Sequence, residues 1–153
     1  MALLLVQHGK SLSKEVDPER GLSDEGKKET ELMATILCEH NVKVSSVEHS
    51  GKKRARETAE IFMAHLGSSA DMRERNGLAP LDDVTNIDIE PDKNIMLIGH
   101  LPFMEKLVSF LTTGSAERES IVKFQNSGIV ALDKNKETGS WYVKWMLSPK
   151  VEA

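Results

Sequence analysis

The strongest constraint in this chain is a pattern it uses twice: a short unbroken apolar run that ends at a histidine beside a glycine. Leu3-Leu4-Leu5-Val6 runs into Gln7-His8-Gly9, and Asn94-Ile95-Met96-Leu97-Ile98 runs into Gly99-His100. Neither run alternates apolar with polar residues, so each predicts a strand buried on both faces. Strands of that kind belong to α/β domains, where helices cover both sides of a largely parallel sheet. In such sheets ligands gather at the carboxyl ends of the strands, where His8 and His100 fall. Gly9 permits a close backbone approach that a Cβ would block.

The remaining segments fit an alternation of strands and helices. Lys10 to Gly21, polar and interrupted by Pro18, predicts a loop. Leu22-Ser23-Asp24-Glu25-Gly26 then opens a helix, with Ser23 as its N-cap and acids in the first turn. Leu32, Met33, Ile36 and Leu37 form that helix's apolar stripe, and Cys38, among them, is expected to be a small buried hydrophobe. Val44 to Glu48 predicts a second strand, leading through His49-Ser50-Gly51 into a helix from about Lys52 to Leu66. Residues 70 to 93, punctuated by Gly77, Pro80 and Pro91, are the least legible stretch, with a short helix predicted near Asp82 to Asn86. A third helix runs from about Phe103 to Thr112. Gly128 to Leu132 and Trp141 to Leu147 predict an antiparallel hairpin around the polar turn Asp133 to Ser140, with Trp141, Tyr142 and Trp145 packing on the sheet.

Composition narrows the functions available. The 153 residues, with 39% apolar and 29% charged, suit one globular domain. A net charge of −4 without an obviously basic arm gives no reason to expect nucleic acid. One cysteine leaves no disulfide framework and no cysteine-based zinc site. No stretch approaches the roughly 20 apolar residues of a membrane span, and none reads as a leader segment, so the expectation is a cytoplasmic protein without a membrane partner.

If the strands are parallel and adjacent, three turns open on one sheet edge, bringing His8, the Ser50 to Arg54 stretch and His100 together. Two imidazoles, a guanidinium and nearby helix N-termini suit a phosphoryl group: arginine binds two oxygens at once, and histidine can donate or attack. His40 and His65 close helices, where a cationic side chain suits the dipole, and are expected to do no chemistry. His49 is expected to be structural, and Arg56, two residues beyond Arg54, to point elsewhere. A metal site built from His8, His49 and His100 is the weaker alternative, because no HxH or HxxxH spacing and no clear carboxylate ligand accompanies them.

At this point the chain resembles the histidine phosphatase clan (phosphoglycerate mutase-like), and within it the small SixA-type phosphohistidine phosphatases. The matches are Leu5-Val6-Gln7-His8-Gly9 to an Arg-His-Gly signature and Leu22-Ser23-Asp24-Glu25-Gly26 to a Leu-Ser/Thr-x-x-Gly helix start. Ser50-Gly51-Lys52-Lys53-Arg54-Ala55 with Thr58-Ala59 matches a Ser-x-x-x-Arg-Ala-x-x-Thr-Ala segment, and Gly99-His100-Leu101-Pro102 a Gly/Ser-His-x-Pro turn. The four occur in the family's order over nearly the whole chain. The resemblance implies a three-layer α/β sandwich with a mostly parallel central sheet, helices on both faces and the C-terminal hairpin. It also implies a single domain over 1–153 without a cap insertion. It implies a catalytic set of His8, Arg54 and His100, with His8 as nucleophile forming a phosphohistidine, and a phosphate-binding set of Gln7, His8, Ser50, Arg54 and His100. A backbone carbonyl is expected to hold the His8 tautomer, and no metal or other cofactor is expected.

Two departures keep alternatives open. Gln7 stands where the signature has Arg, which removes a permanent charge and a guanidinium fork and favours a weakened enzyme or a phosphate-recognition module. Lys10, Lys52 or Lys53 could restore the charge. The general acid is the second gap: Asp82 and Asp83 are the candidate carboxyls, with helix capping as their competing role, and Glu105 is a further one. A phosphohistidine substrate needs no strong acid, because its ring can depart as neutral imidazole once protonated. The expected partner is therefore a phosphorylated protein, such as a His-containing phosphotransfer domain, with a small phosphorylated metabolite as the alternative.

Overall fold

A computed structural model describes residues 2–90, 93–118 and 121–152; Pro91 of the sequence reading lies outside them. Its centre is a six-stranded sheet. The strands are β1 (Leu3–Gln7), β2 (Ser46–His49), β3 (Asp71–Glu74), β4 (Ile95–Gly99), β5 (Ile129–Lys134) and β6 (Trp141–Leu147), in the spatial order β3-β2-β4-β1-β5-β6. β3, β2, β4 and β1 are parallel, while β5 runs antiparallel to β1 and β6 antiparallel to β5. The fold is thus the expected α/β sandwich with the hairpin at one edge.

Period-2 side-chain alternation divides the core. Leu4, Val6, Val47, Met96 and Ile98 face helices α1 (Asp24–Glu39) and α2 (Lys53–Leu66), packing on Met33, Leu37, Ala55, Ala59 and Phe62. Leu3, Leu5, Ile95 and Leu97 face helix α3 (Phe103–Thr113) through Phe103, Met104, Leu107 and Val108. Both faces of β1 and β4 are covered, which is why their sequences are continuously apolar.

α1 begins as expected, with the Ser23 hydroxyl accepting the Gly26 N–H at 3.0 Å. Its buried face is Thr30, Met33, Ala34 and Leu37, at spacings of three, four and seven; Leu32 is exposed, correcting the predicted stripe. Thr30 can be buried because its hydroxyl donates to the Gly26 carbonyl at 2.8 Å. Cys38, next to Leu37 but about 100° around the helix, is exposed rather than buried.

β3 was not foreseen. All four of its residues are exposed, so no apolar signal marks it. What holds it is backbone pairing to β2, reinforced by Arg73 and Arg75, which both engage the fully buried Glu48 carboxylate. The short helix predicted near Asp82 to Asn86 is a 3-10 turn over Val84–Asn86.

The hairpin carries a register shift at Ala131/Leu132: Leu132 pairs with Val143, but Ala131 pairs with Trp145. The extra residue, Lys144, moves the odd-numbered side chains of β6 to the other face. Trp141 and Val143 therefore pack on the α3 side, and Trp145 and Leu147 on the α1/α2 side. Tyr142 is exposed, contrary to the expectation that it packs inward. Among the described residues no helix is long and apolar enough to cross a membrane.

Candidate active site

Register places the site. Gln7 lies opposite Gly99 and His49 opposite Ile98, so β1, β4 and β2 end level with one another. The next residues, His8, His100 and Ser50, leave the sheet at one edge. The imidazoles of His8 and His100 stand 4.9 Å apart between centroids and are inclined by 50°. The sequence-predicted histidines are therefore brought together.

His8 is held on every side by its backbone. Its N–H donates to the Gly99 carbonyl at 3.0 Å, and its own carbonyl accepts from Asn126 Nδ2 at 3.1 Å and the Ser127 N–H at 3.2 Å. Gly9 N–H donates to Thr58 Oγ1 at 2.9 Å, and Thr58 in turn donates to the Arg54 carbonyl at 2.7 Å. Thr58 thus ties the His8-Gly9 turn to the first turn of α2, which carries Arg54.

The His8 ring is 2.7 Å from the Gly9 carbonyl through Nδ1. A carbonyl only accepts, so Nδ1 carries the proton and Nε2 keeps its lone pair. Burial is the main cause of a His8 pKa pushed down to about 4; the Gly9 bond opposes this, and the Arg54 and Arg20 charges reinforce it. The ring is neutral at pH 7. His100 is pushed down to about 3, by burial first and then by His8, Arg54 and Lys52. Its Nε2 lies 2.6 Å from Ser50 Oγ, while its buried Nδ1 has no hydrogen-bond partner among the described residues.

Burial and the nearby Arg20 lower the Arg54 pKa from its ordinary value, and no carboxylate within ion-pair distance neutralises Arg54 among the described residues. It lines an open cleft of about 450 Å³ together with Lys14, Arg20 and Lys52. Gln7 lines a different cleft, of about 350 Å³, with Lys10, Leu101, Phe124 and Asn126, and its Oε1 is buried without a partner among the described residues.

The other candidates are engaged elsewhere. His49 is buried, its Nδ1 accepting the Gly51 N–H at 3.1 Å. Arg56 pairs with Glu60. Asp82 accepts the Ala79 N–H at 2.8 Å, and Asp83 accepts the N–H and hydroxyl of Thr85. Those bonds hold the Asp83 carboxyl below the usual range, the opposite of what an acid catalyst requires. Glu105 accepts the Phe124 N–H at 3.0 Å, pinning the segment that leads to Asn126. Sequence reasoning missed Thr58 as a tether, Asn126 and Ser127 as supports of the His8 peptide, and Arg20. Only Thr58 carried a signal, its place in the Arg-Ala-x-x-Thr-Ala segment.

No family model and no curated protein matches the chain. Solved structures do. The protein histidine phosphatase SixA, in a complex with tungstate, is 27% identical, with 97% of each chain covered and a TM-score of 0.76. A SixA protein from Agrobacterium tumefaciens is 21% identical over 97% of each chain, with a TM-score of 0.78. A mycobacterial glucosyl-3-phosphoglycerate phosphatase, 14% identical over 94% of this chain and 97% of its own, superposes at 0.72.

Proposed function

We propose that this chain is a phosphatase of the histidine phosphatase type and, within it, a metal-independent phosphohistidine phosphatase of the SixA kind; its fold and the residues at its sheet edge support the reading. The observation that carries the reading is His8: buried, neutral, and fixed by the Gly9 carbonyl so that Nε2 is the free nucleophile. Attack of Nε2 on phosphorus forms the new N–P bond as the bond to the leaving group breaks. Water then attacks phosphohistidine-8 and releases phosphate. Arg54 and His100 would bind the equatorial oxygens, with the Ser50 hydroxyl, now on His100 Nε2, reoriented toward the phosphoryl group.

The state of the carboxyls favours a phosphoramidate over a phosphomonoester. Asp83 is held ionised by Thr85, and Asp82 and Glu105 are occupied as backbone acceptors. An alkoxide leaving group needs a proton from such an acid; a phosphohistidine ring takes its proton from solvent before the P–N bond breaks and departs as neutral imidazole. The physiological substrate on this reading is a phosphorylated signalling protein in the cytoplasm, such as a His-containing phosphotransfer domain. Gln7 favours a second reading, phosphate recognition without turnover, since the strand end offers an amide in place of a cation.

Hydrolysis of a phosphohistidine peptide beside a phosphoserine peptide, with EDTA present, separates these. Phosphohistidine turnover that vanishes in His8→Ala supports the proposal. Turnover that survives in His8→Ala refutes the nucleophile. Tungstate binding without any turnover leaves the recognition reading.

A further inference from the structure

The first turn of α2 breaks a rule that α1 keeps. A helix N-terminus carries partial positive charge and favours acids, and α1 opens with Asp24 and Glu25. α2 instead opens on Lys52, Lys53 and Arg54, followed by Arg56, and its first turn holds no acid. A local rule broken without local gain is expected where function needs the residues.

Part of that charge is offset within the chain. Lys53 is 2.8 Å from Asp17, and Arg56 is 3.4 Å from Glu60. Lys52 is exposed, as is Lys14 in the loop after β1, and neither pairs with a carboxylate among the described residues. Both line the Arg54 cleft, and Lys52 is near enough to His100 to help depress its pKa. Glu19 also lines that cleft, but it turns to Lys53 at 3.9 Å. The whole chain carries −4, so this rim concentrates uncompensated positive charge on an otherwise acidic molecule.

Arg54 is assigned to the phosphoryl oxygens, which leaves Lys14 and Lys52 for some other anion. The loops around them end in apolar tips: Val16 is 70% exposed and Leu81 87%. Val16 follows β1 and Leu81 follows β3, and these strands run parallel, so both loops leave the sheet at the site edge. Apolar tips beside a basic rim suit the face of a polypeptide, whereas a small phosphorylated ion gains nothing from them.

Resting on the phosphohistidine phosphatase reading above, we propose that Lys14 and Lys52 form a docking rim that selects protein substrates with acidic side chains beside the phosphohistidine. Exposed charges of this kind steer encounter and fix orientation, and salt screens them over about 8 Å under physiological conditions.

The test reads binding and does not depend on turnover. Two fluorescent peptides carry phosphoryltriazolylalanine, a stable phosphohistidine analogue, one flanked by aspartates and the other by asparagines. Anisotropy titrations at about 20 mM salt are expected to show wild type preferring the aspartate peptide by about tenfold, falling to within twofold at about 0.5 M salt. The double variant Lys14→Gln/Lys52→Gln is expected to lose most of that preference even at low salt. Both peptides are compared on the same preparation, so partial unfolding cancels from the ratio. Equal binding of the two peptides by wild type overturns the proposal, as does binding of neither. A preference that survives in the double variant, or in about 0.5 M salt, overturns it too. No hydrolysis of a phosphohistidine peptide with the preference intact would reject the phosphatase reading while leaving the rim standing.

Discussion

Gly26→Ala is the substitution on which helix propensity and this structure disagree in sign. Gly26 is in the first turn of α1, and propensity predicts a gain of up to about 1 kcal/mol when a helical glycine becomes alanine. The turn that follows His8 crosses α1 at this residue. A Cβ on Gly26 would overlap the Lys10 carbonyl oxygen and lie 2.9 Å from the Lys10 nitrogen and 3.0 Å from its carbonyl carbon. These are backbone atoms, and the same carbonyl accepts both the Ser23 N–H and the Ser23 hydroxyl, so it has little room to move. Gly9 is part of the same crossing, since a Cβ there would meet Thr30 Oγ1 at 2.8 Å. Overpacking of this sort costs about 1–3 kcal/mol. Overlap with backbone atoms puts this case at the upper end, about 3 kcal/mol, so after the propensity gain of about 1 kcal/mol the net expectation is a loss of about 2 kcal/mol, equivalent to a fall in Tm of about 4–8 °C for a chain of this size. The displacement passes along two peptide bonds to His8, so kcat is expected to fall more than tenfold. Thermal unfolding followed by circular dichroism, beside the phosphohistidine assay, checks both. An unchanged or raised Tm would refute the reasoning.

Thr58→Val leaves the buried Gly9 N–H without an acceptor and should cost about 1–3 kcal/mol in urea unfolding, with a lowered kcat; Thr58→Ser should restore both. The His8 and His100 imidazole NMR signals should remain those of neutral rings down to pH 5. Because the folded His8 pKa lies below its unfolded value of 6.5, its contribution to stability is complete above pH 6.5 and is lost as pH falls through about 4. The loss between pH 7 and pH 4 should be about 3 kcal/mol greater in wild type than in His8→Asn. Glu48→Ala strands Arg75 and should cost about 2–3 kcal/mol, less than a fully enclosed pair because Arg73 reaches water.

The legible parts of the chain were those where one physical cause acts alone. β1 and β4 are covered on both faces, so their apolar runs identify them, and the level strand ends follow from parallel pairing. β3 was illegible because its side chains are all in solvent and only main-chain pairing and Glu48 define it. The α1 stripe was misassigned because apolarity was followed instead of angle: Thr30 is inside and Leu32 outside. In the site, His8, Ser50, Arg54 and His100 were found through turns next to strands. Arg20 and Asn126 were not, because nothing local distinguishes an arginine or asparagine in a polar loop; their positions exist only once distant segments meet.

The supports of the His8 peptide set an order of events for the newly made chain. The His8-Gly9 turn is held by partners far along the chain, Thr58 at 49 residues from Gly9 and Asn126 at 118 residues from His8. Long-range contacts of this kind form late, after their loop-closure entropy has been met. Until those contacts form, His8 keeps only the local Gly9 carbonyl that fixes its tautomer and lacks its enclosing edge. The site is therefore assembled in one of the last steps of folding, and not together with the strand that delivers His8.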